Sequence, residues 1–340
     1  MRKTVCLLIS GGIDSAISAH VLLQNGYNVH ALHLKLFPAA TNSQKKAEKI
    51  ASFFNIPFSV LDVQHRFSSC VIQTTLQSYQ SGVTPNPCIL CNPDVKFGEE
   101  VQRFASEHSL HYIATGHYAK IQEEQGFLYL SKAKDASKDQ SYFLYRVPPS
   151  LYPTLLFPLG DLHKSEVREI ARAIGLQKDS ISKESNDLCF YEGSYRDFAR
   201  EHLPLQKGEI VSMAGENLGM HAGHFLYTIG QRQGLGVSYS EPLYVKTLDA
   251  SRNQVCLATR QQMMSSSFQL KDAVWNLLDQ ESLSSNLTVK IRYRSPEVAC
   301  TVQNIPPHEV QLHQPVFAIT PGQSAVFYKG HQLLGGGFIA

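Results

Sequence analysis

The chain has 340 residues with 31 Lys and Arg against 29 Asp and Glu, a net charge of +2. The length gives room for two or three domains with full cores, and a hydrophobic content of 43% excludes a disordered chain. Near-neutrality excludes a globally basic nucleic-acid binder but not a local basic groove, and seven scattered cysteines, an odd number, exclude a disulfide scaffold.

Residues 3–9 (KTVCLLI) form a short apolar run that predicts a buried parallel strand. SGGIDS follows, then an amphipathic helix from Ala16 to Gln24 that stops at Asn25-Gly26. Residues 28–35 predict a second strand, and Ala47, Ile50, Phe53 and Phe54 place a helix over 43–54. A third strand is expected over Phe58–Val63, helices around 67–79 and over Lys96–Glu107, a strand at 111–115, and a helix over 163–174 with Gly175 as its stop. Strands alternating with helices predict an α/β fold with a doubly wound parallel sheet, whose ligands bind at the carboxyl ends of the strands.

Near Leu203 the helical pattern gives way to short alternating segments such as EIVSM, LYVKTLD, QVCLA, VACTV and SAVFY, separated by Gly, Pro, Asn and Ser. These predict two small β-rich domains, antiparallel and the last barrel-like. Residues 266–279 fit either a helix or a strand. The boundaries expected are 1–202, 203–265 and 266–340. No apolar run reaches the roughly 18 residues of a membrane span, and the chain enters TVCLLIS with no cleavable signal pattern. A soluble cytoplasmic enzyme with reduced thiols is expected.

Ser10-Gly11-Gly12-Ile13-Asp14-Ser15 lies between the first strand and first helix. Glycines there let backbone N–H groups approach an anion, and the helix N-terminus adds a favourable dipole. The loop lacks the Gly-Lys-Ser/Thr ending of a Walker A loop and the spacing of a dinucleotide fingerprint; a plain capped turn is the bland alternative. SGGIDS resembles the SGGxDS loop of the ATP pyrophosphatase (PP-loop) family, whose members split ATP between the α and β phosphates and adenylate a substrate oxygen. The resemblance implies that Asp14 works near the phosphates with Mg²⁺.

Cys6, Cys70, Cys256 and Cys300 sit in strand- or helix-like segments and read as packing. Cys88 and Cys91 form a CxxC in TPNPCILCN, and Cys189 lies in SNDLCFYEG, both polar loops of the kind in which thiolates react. The CxxC is open to several readings: a redox pair, half a zinc site, two ordinary loop cysteines or, with Cys189, three ligands of an iron–sulfur cluster.

SGGIDS, GVTPNPCILCNPDVKFG, ATGHYAK, KDQSYFLY, SNDLCFYEG, YTIGQRQGLGV, KIRYRSPE and PGQSAVFY occur in the order seen in the tRNA-specific 2-thiouridylase family (the MnmA/TrmU type), from residue 10 to residue 328. That resemblance implies ATP-dependent replacement of the carbon-two oxygen of the wobble uridine by sulfur in the tRNAs for Lys, Glu and Gln. In its terms Cys91 matches the nucleophile and Cys189 the persulfide carrier, with a Cys91–Cys189 disulfide formed in turnover. The family pattern NPDxxCN reads NPCILCN here, so Cys88 stands in place of an aspartate beside the target base. This departure puts a carboxylate base in doubt and creates a three-thiol set, Cys88, Cys91 and Cys189, suited to a 4Fe–4S cluster.

Asn86, Pro87 and Cys88 match the base pocket. Leu8, Ile9, Ser10, Gly11, Gly12, Ile13, Asp14 and Ser15 match the phosphate-loop segment, and Leu34 and Gly116 match nucleotide-facing positions. His117, Lys138, Asp139, Gln140, Arg292, Tyr293 and Gln323 match tRNA-contact positions; on local pattern alone Lys138 and Arg292 are solvated charges and His117 a loop histidine. A mobile loop is expected over Ser182–Tyr195. The implied partners are tRNA and a sulfur donor, a sulfur-relay protein or a cysteine desulfurase. Two other readings compete: another ATP pyrophosphatase amidating a small molecule, disfavoured because no glutaminase segment appears, and a non-catalytic tRNA- or Fe–S-binding protein of the same fold.

Overall fold

The computed structural model of the protein describes residues 3–38, 41–176, 188–191, 193–276, 286–303 and 308–340. They fall into two compact units, one of Met1–Val71, Cys88–Ser185 and His331–Leu334, the other of Ile72–Pro87, Asn186–Gly330 and Gly335–Ala340.

In the first unit the opening apolar run forms β1 (Thr4–Leu8), buried from Val5 onward. A strand buried on both faces needs a continuous apolar run rather than alternation, which is what VCLL supplies. After β1 come α1 (Ile13–Gln24), β2 (Asn28–Lys35), α2 (Thr41–Phe53), β3 (Phe58–Asp62) and α3 (Gln64–Phe67). α4 (Thr74–Gln80) belongs to the second unit, and α5 (Pro87–Cys91) carries the CxxC. The single helix expected at 67–79 is instead α3, a wide π-type stretch over Ser68–Gln73 and α4. Then follow α6 (Glu99–Glu107), β4 (Tyr112–Ala114), the hairpin β5 (Ala119–Glu124) and β6 (Phe127–Lys132), β7 (Leu155–Leu156) and α7 (Lys164–Ala173). Gly175, at φ +74°, ends that segment as expected of a C-terminal stop.

The sheet order is β3-β2-β1-β4-β7, all parallel. Val5, Leu7, Ala19, Leu22, Val29 and Ala114 form one buried cluster, and Ile9, Ile17, Ile50, Leu159 and Val167 belong to another. Chain order reverses between β1 and β4, so the loops leaving their carboxyl ends flank the crevice in which such sheets hold ligands. The β5–β6 hairpin was not expected from sequence. Its turn is Gln125-Gly126 with positive φ at both residues, the twist a two-residue hairpin requires, but residues 122–127 are all exposed and carry no alternation.

In the second unit α8 (Tyr195–His202) opens on a Ser194 cap whose Oγ accepts from the Asp197 N–H at 3.3 Å. β8 (Gly208–Ser212), β9 (Asn217–His221), β10 (Leu243–Asp249) and β11 (Gln254–Thr259) form a sheet of order β10-β11-β8-β9. The antiparallel expectation is corrected for one pair: β11 runs parallel to β8, because the long connection after β9 leads into β10 and the turn after β10 brings β11 back in the direction of β8. β12 (Met264–Trp275), β13 (Leu287–Lys290), β14 (Val298–Val302), β15 (Glu309–Phe317), β16 (Ser324–Lys329) and β17 (Gln332–Ile339) follow in the order β12-β15-β14-β13-β16-β17, and the β12–β17 pairing closes a six-stranded barrel. The ambiguous segment 266–279 is thus strand as far as Trp275; residues 277–279 lie outside the described residues. Among the described residues no helix is long and apolar enough to cross a membrane.

The central position of β1 sets an expectation for stability. Leu7→Ala, at a fully buried site, is expected to cost about 2–5 kcal/mol. The exposed Leu205→Ala should stay within about 0.5 kcal/mol of wild type in the same urea unfolding measurement. Equal effects of the two would contradict this placement of the core.

Candidate active site

The glycine loop leaves β1 at the switch point and turns into α1. Gly12 caps α1 with extended backbone and no side-chain cap of its own, so the serines tie the loop together. Ser15 Oγ donates to the Gly12 carbonyl at 2.9 Å, and Ser10 N–H donates to Ser15 Oγ at 3.3 Å. Gly11 has φ +83°, and a Cβ there would lie 2.9 Å from both Lys46 Cβ and the Ser43 carbonyl, so only glycine fits between loop and α2. Leu8 and Ile9 are buried beneath the loop; Ile13 and Leu34 are half-buried and Ser10 is exposed. His33, buried in β2, bonds the Ile9 carbonyl through Nδ1 at 2.9 Å. From the other side of the crevice Gly116 reaches the same loop. A Cβ at Gly116 would sit 3.0 Å from Asp14 C and 3.1 Å from Ser15 N.

Asp14 is gripped by residues far away in sequence. Lys164 Nζ donates to both carboxylate oxygens, at 2.7 and 2.8 Å, and Tyr118 Oη donates to Oδ1 at 2.8 Å. Gln140 brackets Tyr118: Tyr118 N–H donates to Gln140 Oε1 at 3.0 Å, and Gln140 N–H donates to the Tyr118 carbonyl at 2.7 Å. Both Asp14 oxygens accept from the Lys164 ammonium, so a Mg²⁺ ion would reach this carboxylate only by taking that contact's place, with its remaining ligands from phosphates and water.

The CxxC sits on α5, with Pro87 at its start, where a missing N–H does no harm. Cys88 and Cys91 are three residues apart and share a helix face; Cys91 is buried and Cys88 is at the surface. Dense protein around the Cys88 sulfur still pushes its thiol pKa up, with the Lys96 ammonium pulling the other way. Lys96 ends a π-type stretch over Asn92–Lys96, and its Nζ donates to His117 Nε2 at 3.4 Å. His117 Nδ1–H therefore donates to Thr115 Oγ1 at 2.8 Å. Burial first, and the Lys96 charge second, hold His117 well below the ordinary imidazole range, so the ring is neutral.

Cys6, Cys70, Cys88, Cys256 and Cys300 are free thiols. Cys189 is exposed, and residues 182–187 and 192 of the loop expected to be mobile lie outside the described residues. Among the described residues no three His, Cys, Asp or Glu side chains gather as a metal site needs. Burial pushes Cys6 and Cys300 each up to about 12, the property of unreactive packing thiols.

Residues 3–193 match the family described as tRNA methyl transferase HUP domain, residues 196–259 the tRNA methyl transferase PRC-barrel domain, and residues 265–339 the aminomethyltransferase beta-barrel domain. The tRNA-specific 2-thiouridylase MnmA of Synechococcus sp. is 39% identical over 347 residues, covering 99% of this chain and 97% of that protein. The protein of that name from Sulfurimonas denitrificans is 39% identical over 346 residues, covering 100% and 99%. The chain belongs to the tRNA-specific 2-thiouridylase family. Among solved structures, the U34-tRNA thiolase NcsA from Methanococcus maripaludis with its [4Fe-4S] cluster is similar at a TM-score of 0.37 and 17% identity, over 59% of this chain and 65% of that one.

The residues that the resemblance implies as tRNA contacts have varied surroundings. Lys138 is half-buried, whereas Asp139 is buried and accepts from Ala133 N–H at 2.9 Å and Ser141 Oγ at 2.8 Å, so it builds its own turn. The Arg292 guanidinium donates to the Ala318 carbonyl and Thr320 Oγ1, and Lys290 lies over the Tyr293 ring at 5.9 Å. Gln323 Nε2 donates to the Thr84 and Pro85 carbonyls at 3.1 and 3.4 Å, anchoring the segment that continues into Asn86 and Pro87. A Cβ on the neighbouring Gly322, at φ +85°, would lie 2.0 Å from Val83 Cγ1.

Sequence reasoning missed Lys164, Tyr118 and Lys96. ATGHYAK and DVKFG contain two of them, but as motif spellings without partners; nothing local marks Lys164, whose partner is 150 residues away. The Lys96 contact gives a direct test. In Lys96→Met the His117 pKa, followed by NMR, is expected to rise, because a neighbouring positive charge no longer opposes protonation. It should stay below 6.5, since burial, the larger cause, persists. An unchanged value would contradict the contact.

Proposed function

We propose that the protein is a cytoplasmic tRNA-uridine 2-sulfurtransferase that uses ATP to convert the wobble uridine of the tRNAs for Lys, Glu and Gln to 2-thiouridine. The observation that carries this reading is the pairing, in one unit, of a serine-tied glycine loop at the sheet's switch point with the Cys88–Cys91 helix and its Lys96–His117 contact, in a chain of this family.

A uridine carbonyl oxygen is a poor leaving group. Transfer of AMP from ATP to that oxygen, with release of pyrophosphate, makes it a good one. The glycine-loop N–H groups, Ser10 and Ser15 bind the departing pyrophosphate, and Gly116 and Leu34 bound the nucleotide. Asp14 would hold Mg²⁺, which when bound neutralises phosphate charge. The terminal sulfur of a Cys189 persulfide attacks carbon two and expels AMP with the original oxygen. The Cys91 thiolate then attacks the Cys189 sulfur, forms a Cys91–Cys189 disulfide and frees the thiouridine. An external dithiol restores both thiols, and a sulfur-relay protein or cysteine desulfurase reloads Cys189. Cys88, with its raised pKa, stays a neutral thiol beside the base and is not the base of the reaction.

For tRNA we assign Asn86 and Pro87 to the base pocket and His117 to the reacting base. Lys138, Gln140, Arg292 and Tyr293 go to the backbone and stacking contacts, Asp139 acts through the turn it builds, and Gln323 through the Thr84–Pro85 segment. Target bases in single-stranded anticodon loops flip at modest cost. The three-part division at 202/203 and 265/266 is our working assignment of catalytic and tRNA-holding regions.

Mass spectrometry of tRNA from cells lacking the gene, complemented with wild type, tests the function. Wobble 2-thiouridine is expected to return with wild type and to fall about a hundredfold or more with Cys91→Ser or Cys189→Ser. Unchanged 2-thiouridine on deletion would refute the reading. Protein purified without oxygen should be active with no bound iron; activity that requires iron and sulfide would overturn the persulfide route.

A further inference from the structure

The CxxC segment is anchored at one end and open at the other. Ile89, Cys91 and Asn92 are buried, and the Asn92 side-chain amide donates to the Phe143 carbonyl at 2.8 Å, which fixes the end of α5. Cys88 is the exception: it is exposed and a free thiol. Two residues three positions apart on a helix have Cβ atoms about 5–6 Å apart, and a disulfide needs about 3.5–4.5 Å. α5 spans only Pro87–Cys91 and passes at once into the π-type stretch over Asn92–Lys96. Bringing the two sulfurs to bonding distance therefore asks one short turn to tighten by about an ångström. Because Cys91 is held, that movement falls to Cys88 at the open end.

We propose that Cys88 is the resolving cysteine of the turnover disulfide: its sulfur attacks Cys91 Sγ, forms a Cys88–Cys91 disulfide and releases Cys189. This rests on the persulfide reading above, in which each turnover ends with a Cys91–Cys189 disulfide. The Cys91–Cys189 bond breaks as the Cys88–Cys91 bond forms, and the proton lost by Cys88 ends on the Cys189 sulfur, with no net oxidation or reduction. An external dithiol then attacks the exposed Cys88 sulfur, becomes a disulfide itself and returns Cys88 and Cys91 to thiols. Cys189 is thus free for reloading before the reductant acts, and the reductant never has to reach the buried Cys91. A thiol three residues away also attacks at a far higher effective concentration than a dissolved one. Dense surroundings keep Cys88 protonated while the base reacts, with the Lys96 ammonium opposing them. The thiolate that does form is the stronger nucleophile for its higher pKa. The bland alternative is that Cys88 only fills space, and the dithiol reduces the Cys91–Cys189 bond directly.

The two roles separate by which disulfide remains. Full-length wild-type protein carrying a persulfide is mixed with substrate tRNA and ATP, without oxygen or reductant. Samples are quenched with acid, alkylated, digested and mapped by mass spectrometry, and 2-thiouridine is counted in the same samples. The Cys91–Cys189 disulfide is expected to appear first and to give way to Cys88–Cys91, in an amount about equal to the 2-thiouridine formed, with Cys189 alkylated. A Cys91–Cys189 disulfide that matches the 2-thiouridine throughout, with Cys88 alkylated, would overturn the proposal and leave the persulfide reading standing. Formation of 2-thiouridine with none of the three cysteines in a disulfide would instead refute the persulfide reading, and with it this role for Cys88. Cys88→Ser gives a second readout, whatever it does to the first turnover. With dithiol present, the rate of later turnovers relative to the first is expected to fall about 10-fold or more. A ratio equal to that of wild type would overturn the proposal.

Discussion

The bond between Lys164 and Asp14 is the contact on which the architecture of the candidate site turns. The parallel sheet reverses its order between β1 and β4, which brings the glycine loop and residues 115–118 to one crevice. Gly116 allows the two loops to approach to van der Waals distance, and Tyr118 and Lys164 then converge on a single carboxylate. Because the ammonium is buried, the loop, the β4 exit and the start of α7 hold one another in place: removing the Asp14 carboxylate would leave the Lys164 charge unbalanced in a poorly solvated position. The same network extends through Tyr118 to Gln140, and so to the Lys138–Gln140 segment.

The sulfur-handling side of the unit has a different electrostatic character. His117 is buried and neutral, Lys96 is directed at its Nε2, and Cys88 titrates above an ordinary thiol. A thiol held protonated at Cys88 adds no negative charge to that neighbourhood. Within the second unit, the Gln323 amide donates to the Thr84 and Pro85 carbonyls, which fixes the segment that runs on into Asn86 and Pro87.

Much of the fold is legible in the sequence, for local reasons. VCLL is continuous because β1 is covered on both faces, and Gly175 marks the end of the α7 segment because its backbone is left-handed. The β5–β6 hairpin is illegible because its tip faces solvent, so no alternation is imposed on it. The helix at 67–79 reads as continuous because a π-type widening keeps a helix-like spacing of apolar residues. The site divides the same way: SGGIDS and NPCILC are contiguous strings whose chemistry survives in one dimension, whereas Lys164 acquires its meaning only from a partner 150 residues away. Asp139 has the opposite history. Its motif suggests a contact, and the structure gives its carboxylate to its own turn.

The central claim is that this loop drives cleavage of ATP between the α and β phosphates to activate a tRNA oxygen. The most direct measurement is a single-turnover reaction of the full-length protein with unmodified substrate tRNA, a persulfide donor and ATP labelled at the α and γ positions. The account predicts AMP, pyrophosphate and 2-thiouridine in equal amounts, with no ADP. Formation of ADP and orthophosphate, or of 2-thiouridine without consumption of ATP, would contradict it.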